Sequence, residues 1–232
     1  MKYFYHPFTD KATIFNFEEE EVRHLNVLRV RGGDIVQVIN GNGLIANAEV
    51  VSINNKTSMA SILSKVLVPV LSNKYHLFVS PLKSNERLEW MLEKACEIGV
   101  SSINFLICER TEKTSLKSER LKKIVVSACK QSKQYYFPIL NLGVDFNVAI
   151  NQIDSSKKLI AYCDEGTSLM SEVIIKGEDT TIFIGPEGDF TQQEVDLAQV
   201  NGFSLISLGE SRLRTETAAI FALSSLRFVN MI

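Results

Sequence analysis

The chain has 232 residues, of which 45% are apolar and 22% are charged, and its net charge of −2 shows no chain-wide basicity that would indicate a polyanionic partner. This length suffices for one large domain or two smaller ones. The first residues, MKYFYHPFTD, lack the apolar segment of a signal peptide, and no uninterrupted apolar stretch approaches 18 residues. We therefore expect neither export nor membrane insertion, and the expected location is the cytoplasm.

The first third of the chain has the pattern of β-structure. A short helix with Val22, Leu25 and Leu28 on one face is predicted first. Short runs rich in valine and isoleucine follow, separated by a Gly-Gly pair, an NGNG stretch and an NNK stretch. Asn-Gly between two β-patterned runs favours a hairpin, because both central residues of a type I′ turn need positive φ. The pattern predicts a small antiparallel barrel or sheet.

Strand-like and helical patterns alternate in the rest of the chain. The apolar runs YHLFVS, INFLIC, KLIAYC, TIFIG and FSLISLG predict strands. A helix should follow the first of them, with Ser84 or Asn85 as its cap and Gly99 as its end, and Thr191 with Glu194 forms a capping box for a later helix. The last segment, TETAAIFALSSLRFVNM, is apolar nearly all round and predicts a buried helix. This alternation predicts a mostly parallel α/β sheet with helices on both faces.

The pattern changes around residues 70–74. We therefore predict two domains, a β-rich domain at 1–71 and an α/β domain at 72–232. Cysteines at 96, 108, 129 and 163 stand far apart, without CxxC spacing or a histidine at metal-ligand spacing, so we expect reduced, buried thiols and no metal site.

A basic segment lies between Arg110 and Lys133, where eight cations face two glutamates and give a local balance of +6. Such a segment is either a solvated helix face or a polyanion-binding surface. The three aromatic residues that follow it, at 135–137, would add stacking to the second interpretation.

Two glycine-containing stretches follow consecutive predicted strands. TIFIG runs into GPEGDFTQQE, and FSLISLG runs into ESRLRTETA. In an open α/β sheet, ligands bind beyond the carboxyl ends of the strands, so both loops should meet at one edge. Gly185, Gly188 and Gly209 let backbone amides approach a flat ring, and Pro186 stiffens the turn. These glycines could equally form plain turns.

Charged residues in the same two loops favour a ligand site. Glu187, Arg214 and Glu216 would lie together at the mouth of a buried helix, where charged groups need partners or a ligand. The alternative is structural: the two carboxylates accept backbone amides to hold their loops, and Arg214 forms an internal ion pair.

Other nucleotide-binding and hydrolytic motifs do not fit. GxxxxGK[ST] is absent, and the GNG at 41–43 lacks the third glycine and the helix of a dinucleotide fingerprint. The histidines at 6, 24 and 76 are scattered, with no nucleophile elbow near them, so a hydrolytic triad is not indicated.

The paired motifs GPEGDFTQQE and LGESRLRTETA resemble the signature of the bacterial 16S rRNA uracil-N3 methyltransferase family (RsmE type), which belongs to the SPOUT class. HLNVLRVRGGD resembles that family's entry into a PUA-like barrel, and KSNERLEWMLEKACEIGV and ACKQSKQYYFP resemble its middle motifs. The resemblance spans nearly the whole chain.

The resemblance implies a small PUA-like β-barrel RNA-binding domain followed by a SPOUT-type parallel sheet with a C-terminal trefoil knot. It further implies S-adenosyl-L-methionine as cofactor, 16S rRNA or the small ribosomal subunit as partner, and a homodimer. Carried over by position, the cofactor-binding residues would be Gly185, Pro186, Glu187, Gly188, Leu208, Gly209, Leu213, Arg214, Glu216, Thr217 and Ala218.

The sequence departs from the family pattern in three places, one of which is a pair of residues. Asp189 stands where glycine is more common, which would change the φ of the loop or its RNA contact. Arg212 occupies a usually apolar position, and Lys133-Gln134 replaces a common Gly-Arg pair, which weakens an arginine contact to phosphate there.

Methylation of uracil N3 needs an unpaired or flipped base. The catalytic candidates are Arg214 and Glu187. Arg214 would stabilise the charge on the uracil oxygens, and Glu187, or alternatively Glu216, would orient Arg214. A carboxylate or solvent would accept the N3 proton. The predicted RNA-binding residues are Arg23, Arg29, Arg31, Arg110, Lys113, Lys117, Arg120, Lys123, Lys130 and Lys133.

Two other functions stay open from the sequence alone. A non-catalytic RNA-binding or assembly protein could keep this fold, although both cofactor loops are intact. A SPOUT enzyme acting on transfer RNA is the third possibility.

Overall fold

The computed structural model describes residues 3–70, 72–162 and 167–231, which form two compact units. The N-terminal unit contains residues up to Val70 and, in addition, Val126–Phe137 from later in the chain. The second unit contains the remaining residues, up to Val125 and from Pro138 onward. The contribution of 126–137 to the first unit follows from aromatic packing described below.

A five-stranded sheet and one helix build the N-terminal unit. The strand order is β1-β3-β4-β5-β2; β1 pairs parallel to β3, and the other pairs are antiparallel. Phe4, Phe15, Val22, Leu25 and Val38 are buried in its core, which confirms Val22 and Leu25 of the predicted helix face, whereas Leu28 follows the helix and is partly buried. The parallel pair differs from the predicted antiparallel sheet. The elements are β1 (Tyr3–Tyr5), β2 (Ile14–Asn16), α1 (Glu19–Val27), β3 (Ile35–Ile39), β4 (Leu44–Ile53) and β5 (Ser58–Leu67).

The NGNG turn between β3 and β4 packs against the aromatic residues at 135–137. A Cβ on Gly43 would lie 2.3 Å from the ring of Tyr136, whose hydroxyl donates to the Val68 carbonyl at 2.7 Å. Phe137 lies against Gly41 and its backbone N–H donates to the Gly41 carbonyl at 2.8 Å. These side chains are half-buried within the unit and have a packing role there, and their stacking with bases stays a prediction.

Gly43→Ala should destabilise the N-terminal unit by about 2–4 kcal/mol. The new Cβ would overlap the Tyr136 ring, and φ of +87° is unfavourable for alanine. Thermal unfolding measures the loss. Gly33→Ala is the matched control, because its φ of +88° is the same while nothing lies within 4 Å of its Cβ position. An equal decrease in the unfolding temperature of the two variants would show that overlap with Tyr136 does not contribute to the destabilisation.

A seven-stranded sheet forms the second unit, in the order β10-β12-β9-β11-β6-β7-β8, and every neighbouring pair is parallel. The carboxyl ends of its strands therefore lie at one edge, as the sequence predicted. The strands are β6 (Tyr75–Val79), β7 (Ser102–Ile107), β8 (Ile139–Asp145), β9 (Lys157–Ala161), β10 (Ser168–Leu169), β11 (Thr180–Ile184) and β12 (Ser204–Ser207). The helices after residue 72 are α2 (Asn85–Ile98), α3 (Ser118–Ser132), α4 (Phe146–Gln152), α5 (Met170–Val173), α6 (Gln192–Val200) and α7 (Thr215–Met231). The residues of α3 from Val126 onward belong to the N-terminal unit.

The predicted caps are confirmed. Ser84 accepts the backbone N–H of Arg87 at the start of α2, and Gly99 ends that helix in the left-handed conformation. Thr191 and Glu194 form the reciprocal capping box of α6. These local signals fix where the helices begin beyond the strand ends.

Helix α7, predicted to be buried within the chain or against a partner, is packed on one face in the single chain. One face, with Ala219, Ala222 and Leu223, is fully buried. Phe221 and Phe228 on the other side are 48% and 64% exposed. The all-round apolar pattern therefore covers one packed face and one uncovered face. The trefoil knot stays a prediction.

Candidate functional site

The loop after β11 turns sharply back towards its own strand. A Cβ on Gly185 would lie 3.1 Å from the ring of Phe190, which is itself buried, so only glycine fits without a shift. The Asp189 backbone N–H donates to the Pro186 carbonyl at 2.9 Å and closes the turn. Asp189 has φ of +62°, so this residue adopts the backbone conformation for which glycine is favoured. The aspartate thus keeps the left-handed backbone conformation that glycine would adopt at this position.

Side chains of neighbouring loops fix the far end of this turn. The Glu194 carboxylate is buried and accepts the backbone N–H groups of Thr191 and Glu109 at 2.8 and 2.9 Å. Arg110 donates to the Gly188 carbonyl at 2.7 Å. The segment after β7 and the turn after β11 are thus held together by charge-assisted hydrogen bonds.

The loop after β12 leads directly into α7. Gly209 has φ of +117°, and the Ser207 hydroxyl is within 3.2 Å of its backbone N–H and carbonyl groups. The Arg214 carbonyl accepts the Ala218 N–H at 2.8 Å, as in the first helical turn. The buried Thr215 hydroxyl donates to the Gly185 carbonyl at 3.2 Å and joins this loop to the one after β11.

A cavity of about 700 Å³ lies between the two loops. Strand β9 lies between β11 and β12, so Ala161 and Tyr162 at its end also contribute to the lining. Neither residue was predicted from the sequence. The one feature that could have indicated them is their position at the end of a strand of the same sheet. The predicted residues in the lining are Gly185, Pro186, Glu187, Gly188, Leu208, Gly209, Leu213, Arg214 and Ala218, whereas Glu216 and Thr217 are outside it.

Both predicted carboxylates pair with Arg87, a residue that the sequence analysis did not select. Arg87 lines the cavity, and its Nη2 lies 3.1 Å from Glu187 Oε1 while its Nη1 lies 3.3 Å from Glu216 Oε1. Lys83 Nζ is 3.8 Å from Glu187 Oε2. Within the described residues no ion pair joins Arg214 to either carboxylate, so the proposed orientation of Arg214 by them is not observed.

Arg214 is exposed and is one of the residues that line the cavity. Arg212 is exposed in the same lining. The internal ion pair considered for Arg214 is not seen in the part of the chain that the structure describes. Arg214 is therefore available to an anionic or polar ligand.

None of the cysteines among the described residues lines the cavity. Cys96, Cys108 and Cys129 are buried and form no disulfide, and Cys163 lies outside the described residues. Burial raises the pKa of the Cys108 thiol, which stays protonated at neutral pH. Across residues 3–70, 72–162 and 167–231 no group of His, Cys, Asp or Glu side chains could hold a metal ion.

The predicted RNA-binding residues fall into two groups. Arg29, Arg31, Lys117, Lys123 and Lys133 are exposed, as is Arg23, which lies 3.6 Å from Glu19. The other group forms hydrogen bonds within the chain, although Arg110 and Arg120 are exposed as well: Arg110 to Gly188, Lys113 to Asn85 at 2.5 Å, and Arg120 to Glu89 at 2.6 Å.

Lys130 differs most from its prediction. Its side chain is 15% exposed, and the ammonium contacts the buried Glu21 and lies 3.5 Å from His24 Nδ1. This ion pair is internal to the N-terminal unit and therefore does not present the charge to a phosphate.

Comparison with known proteins identifies two family models. A model described as an RNA methyltransferase domain matches residues 70–227, and one described as an RNA methyltransferase PUA domain matches residues 17–63. The chain is also 29% identical to ribosomal RNA small subunit methyltransferase E of Bacillus subtilis over 94% of this chain and 91% of that protein. No helix in the described ranges is long and apolar enough to cross a membrane.

Two solved structures are similar over nearly their whole length. A probable rRNA-methyltransferase from Porphyromonas gingivalis has a TM-score of 0.93 and 34% identity, covering 100% of this chain and 99% of that chain. A ribosomal RNA small subunit methyltransferase E from Neisseria gonorrhoeae, bound to S-adenosyl methionine, has a TM-score of 0.87 and 30% identity, covering 99% and 98% of the two chains.

Proposed function

Because the chain belongs to the RNA methyltransferase family, we propose that it is an S-adenosylmethionine-dependent enzyme that methylates N3 of a uridine in 16S rRNA of the small ribosomal subunit. The observation that carries this proposal is the cavity between the loops after β11 and β12. The names of the relatives support small-subunit rRNA as the substrate, and the cofactor-bound relative supports the methyl donor.

The cavity suits such a cofactor by size and by lining. A volume of about 700 Å³ is within the range of small-molecule sites. Gly185 and Gly209 bring backbone groups to its two walls, and these would read the adenine edge. Thr217 is exposed and is not among the lining residues, so it is the weakest member of the proposed cofactor set.

The protein would act mainly by positioning and by electrostatic stabilisation. When bound, S-adenosylmethionine supplies an electrophilic methyl group. The two loops would hold the target uracil in line with that group, and Arg214 would stabilise the negative charge that develops on the uracil oxygens as the N3 proton leaves. Both carboxylates pair with Arg87, so the N3 proton would pass to solvent as the N3–methyl bond forms and the sulfonium–methyl bond breaks.

The RNA would bind through exposed cations, so its affinity should fall steeply as salt rises. Lys117→Ala should make the slope of log K against log salt shallower by roughly 0.7, the value for one phosphate of a single strand. Fluorescence anisotropy with a labelled rRNA fragment measures the slope. Lys176→Ala, also at an exposed lysine, should leave it unchanged. A salt-independent wild-type affinity would remove the basic segment from the proposal.

The remaining parts of the proposal concern assembly and organisation. We propose that residues 1–71 are the RNA-binding domain and 72–232 the catalytic domain, that the protein acts in the cytoplasm, and that it forms a homodimer. The uncovered Phe221 and Phe228 of α7 support a dimer, because exposed aromatic pairs mark association surfaces. Light scattering of the purified protein would measure its mass, and a monomer would contradict the dimer.

Mass spectrometry of ribosomal RNA tests the substrate. Cells lacking the gene should lose one N3-methyluridine from small-subunit rRNA and regain it with the wild-type gene. Loss of a methyl group from transfer RNA instead would assign the enzyme to another substrate class. An unchanged methylation pattern would favour a non-catalytic RNA-binding protein.

A further inference from the structure

Helix α2 contributes one cation to the cavity lining, Arg87. This cation contacts one carboxylate in the turn after β11 and one in the first turn of α7. The two terminal nitrogens of the Arg87 guanidinium lie 3.1 Å from Glu187 and 3.3 Å from Glu216. An arginine fork can bind two separate acceptors with fixed geometry, which a lysine ammonium does less well. Arg87 therefore links the turn after β11 to the first turn of α7.

Both the cation and one of its partners are held firmly. The Arg87 backbone N–H donates to the Ser84 cap at 3.4 Å, which fixes the residue in the first turn of α2. The Glu216 side chain is only 8% exposed, and its Oε2 is buried without a hydrogen-bond partner. A buried carboxylate with one unpartnered oxygen depends strongly on the cation that contacts its other oxygen. Removing Arg87 would leave this charge uncompensated.

The position of Glu216 is coupled to that of Arg214. Only Thr215 separates the two, and its hydroxyl donates to the Gly185 carbonyl. The segment 214–216 thus presents Arg214 to the cavity, joins Gly185 through Thr215, and joins α2 through Glu216. A change at Glu216 would therefore displace Arg214.

We infer that Arg87 is a positioning residue, which holds Glu187 and Glu216 so that the two cavity walls and Arg214 keep the geometry needed for methyl transfer. This inference rests on the proposed function. Arg87 acts through the two carboxylates, whereas the hydrogen bonds of Gly185 and Gly209 come from Thr215 and Ser207 and do not involve it. Its loss should therefore lower the rate of methyl transfer more than cofactor affinity, because misplacement of a reacting group by about 1 Å costs up to 10²-fold in rate.

The test compares Arg87→Ala with Lys94→Ala. Lys94 is a matched control on the same helix, because it also contacts two glutamates, Glu93 and Glu97, and lies outside the cavity lining. In methylation of small-subunit particles, Arg87→Ala should lower kcat by about tenfold or more, with the Kd for S-adenosylmethionine by calorimetry within about threefold of wild type. Lys94→Ala should change both by less than about twofold. An unchanged kcat in Arg87→Ala would overturn the inference.

Two further variants guard against a general loss of folding. Arg87→Lys keeps the charge and can reach one carboxylate at a time, so its kcat should fall between those of wild type and Arg87→Ala. If Arg87→Ala does not fold, Arg87→Lys becomes the test of the inference. A wild-type kcat in Arg87→Lys would then contradict the positioning role of Arg87. Combining Arg87→Ala with Glu216→Gln should lower kcat no further than the worse single change. Multiplying effects would show that the two residues act independently.

Hydrogen exchange of the cofactor-free protein separates this inference from the proposed function. Amides in peptides covering 185–191 and 208–216 should exchange several-fold faster in Arg87→Ala than in Lys94→Ala. Equal exchange in the two variants would contradict the positioning role even if the wild type methylates RNA. Absence of cofactor binding by the wild type would instead defeat the proposed function while leaving the exchange result interpretable.

Discussion

Arg214→Ala should lower kcat for methyl transfer by about 10²–10³-fold and change the Kd for S-adenosylmethionine by less than about threefold. Arg214 is exposed in the cavity and lacks a carboxylate partner among the described residues, so its charge is available to the uracil oxygens. That charge develops mainly in the transition state, which is why the rate should respond more than binding. Single-turnover methylation and calorimetry measure the two quantities separately.

Arg227→Ala is the matched control for this prediction. Arg227 belongs to the same helix, α7, and is not in the cavity lining. Arg227 is partly exposed, and its replacement should leave kcat within about twofold of wild type because it lies away from the cavity. Arg214→Lys should recover part of the rate, because the charge is retained without the planar fork. A wild-type kcat in Arg214→Ala, or a loss explained wholly by weaker cofactor binding, would remove Arg214 from the catalytic role.

Gly185→Val should weaken S-adenosylmethionine binding by about a hundredfold or more. Even a Cβ at this position would lie 3.1 Å from the Phe190 ring, and the two methyl groups of valine need still more space. Phe190 is buried in the core, so the loop must move away from it, which would break the hydrogen bond from Thr215 to the Gly185 carbonyl. Both cavity walls would then shift together. Calorimetric titration with the cofactor measures the loss.

A graded series strengthens this result. Gly185→Ala should give a smaller loss, because the Phe190 ring needs to move only a few tenths of an ångström. Gly32→Ala is the control, since the nearest atom to its Cβ position is the Val51 carbonyl oxygen at 3.6 Å, an ordinary contact. Wild-type cofactor affinity in Gly185→Val would show that the loop after β11 is not a wall of the cofactor site.

Local sequence signals predicted the parts of the site that depend on neighbouring residues. The Ser84 cap, the Thr191–Glu194 capping box and the glycine turns each arise from side chains and backbone a few positions apart. The buried strand β11 was also clear, since all five of its residues are buried and apolar or β-branched. Such features can be predicted because their hydrogen bonds close within one turn of chain.

Contacts between distant segments could not be predicted in the same way. Arg87 is 100 residues from Glu187 and 129 from Glu216 in sequence, and its place in a helix start gave no sign of a pairing with either. Nothing in the sequence indicates that β9 lies between β11 and β12. Strand order depends on how the helices pack over the whole sheet, and local patterns in one sequence do not reveal that order.

An edge strand was missed for a different reason. The segment ILNLGVD forms β8, at the end of the sheet, where exposed and partly exposed residues alternate. Its mixed polarity and its glycine reduce the strand signal compared with the buried central strands. Likewise, Lys130 matched a solvated basic face, while its partner Glu21 lies 109 residues away.

Calorimetric titration of the purified protein with S-adenosylmethionine tests most directly whether the two loops form a methyl-donor site. We expect saturable binding at one site per chain that is lost in Gly185→Val and retained in Gly32→Ala. Absence of binding to the wild type, or equal binding to both glycine variants, would contradict the account.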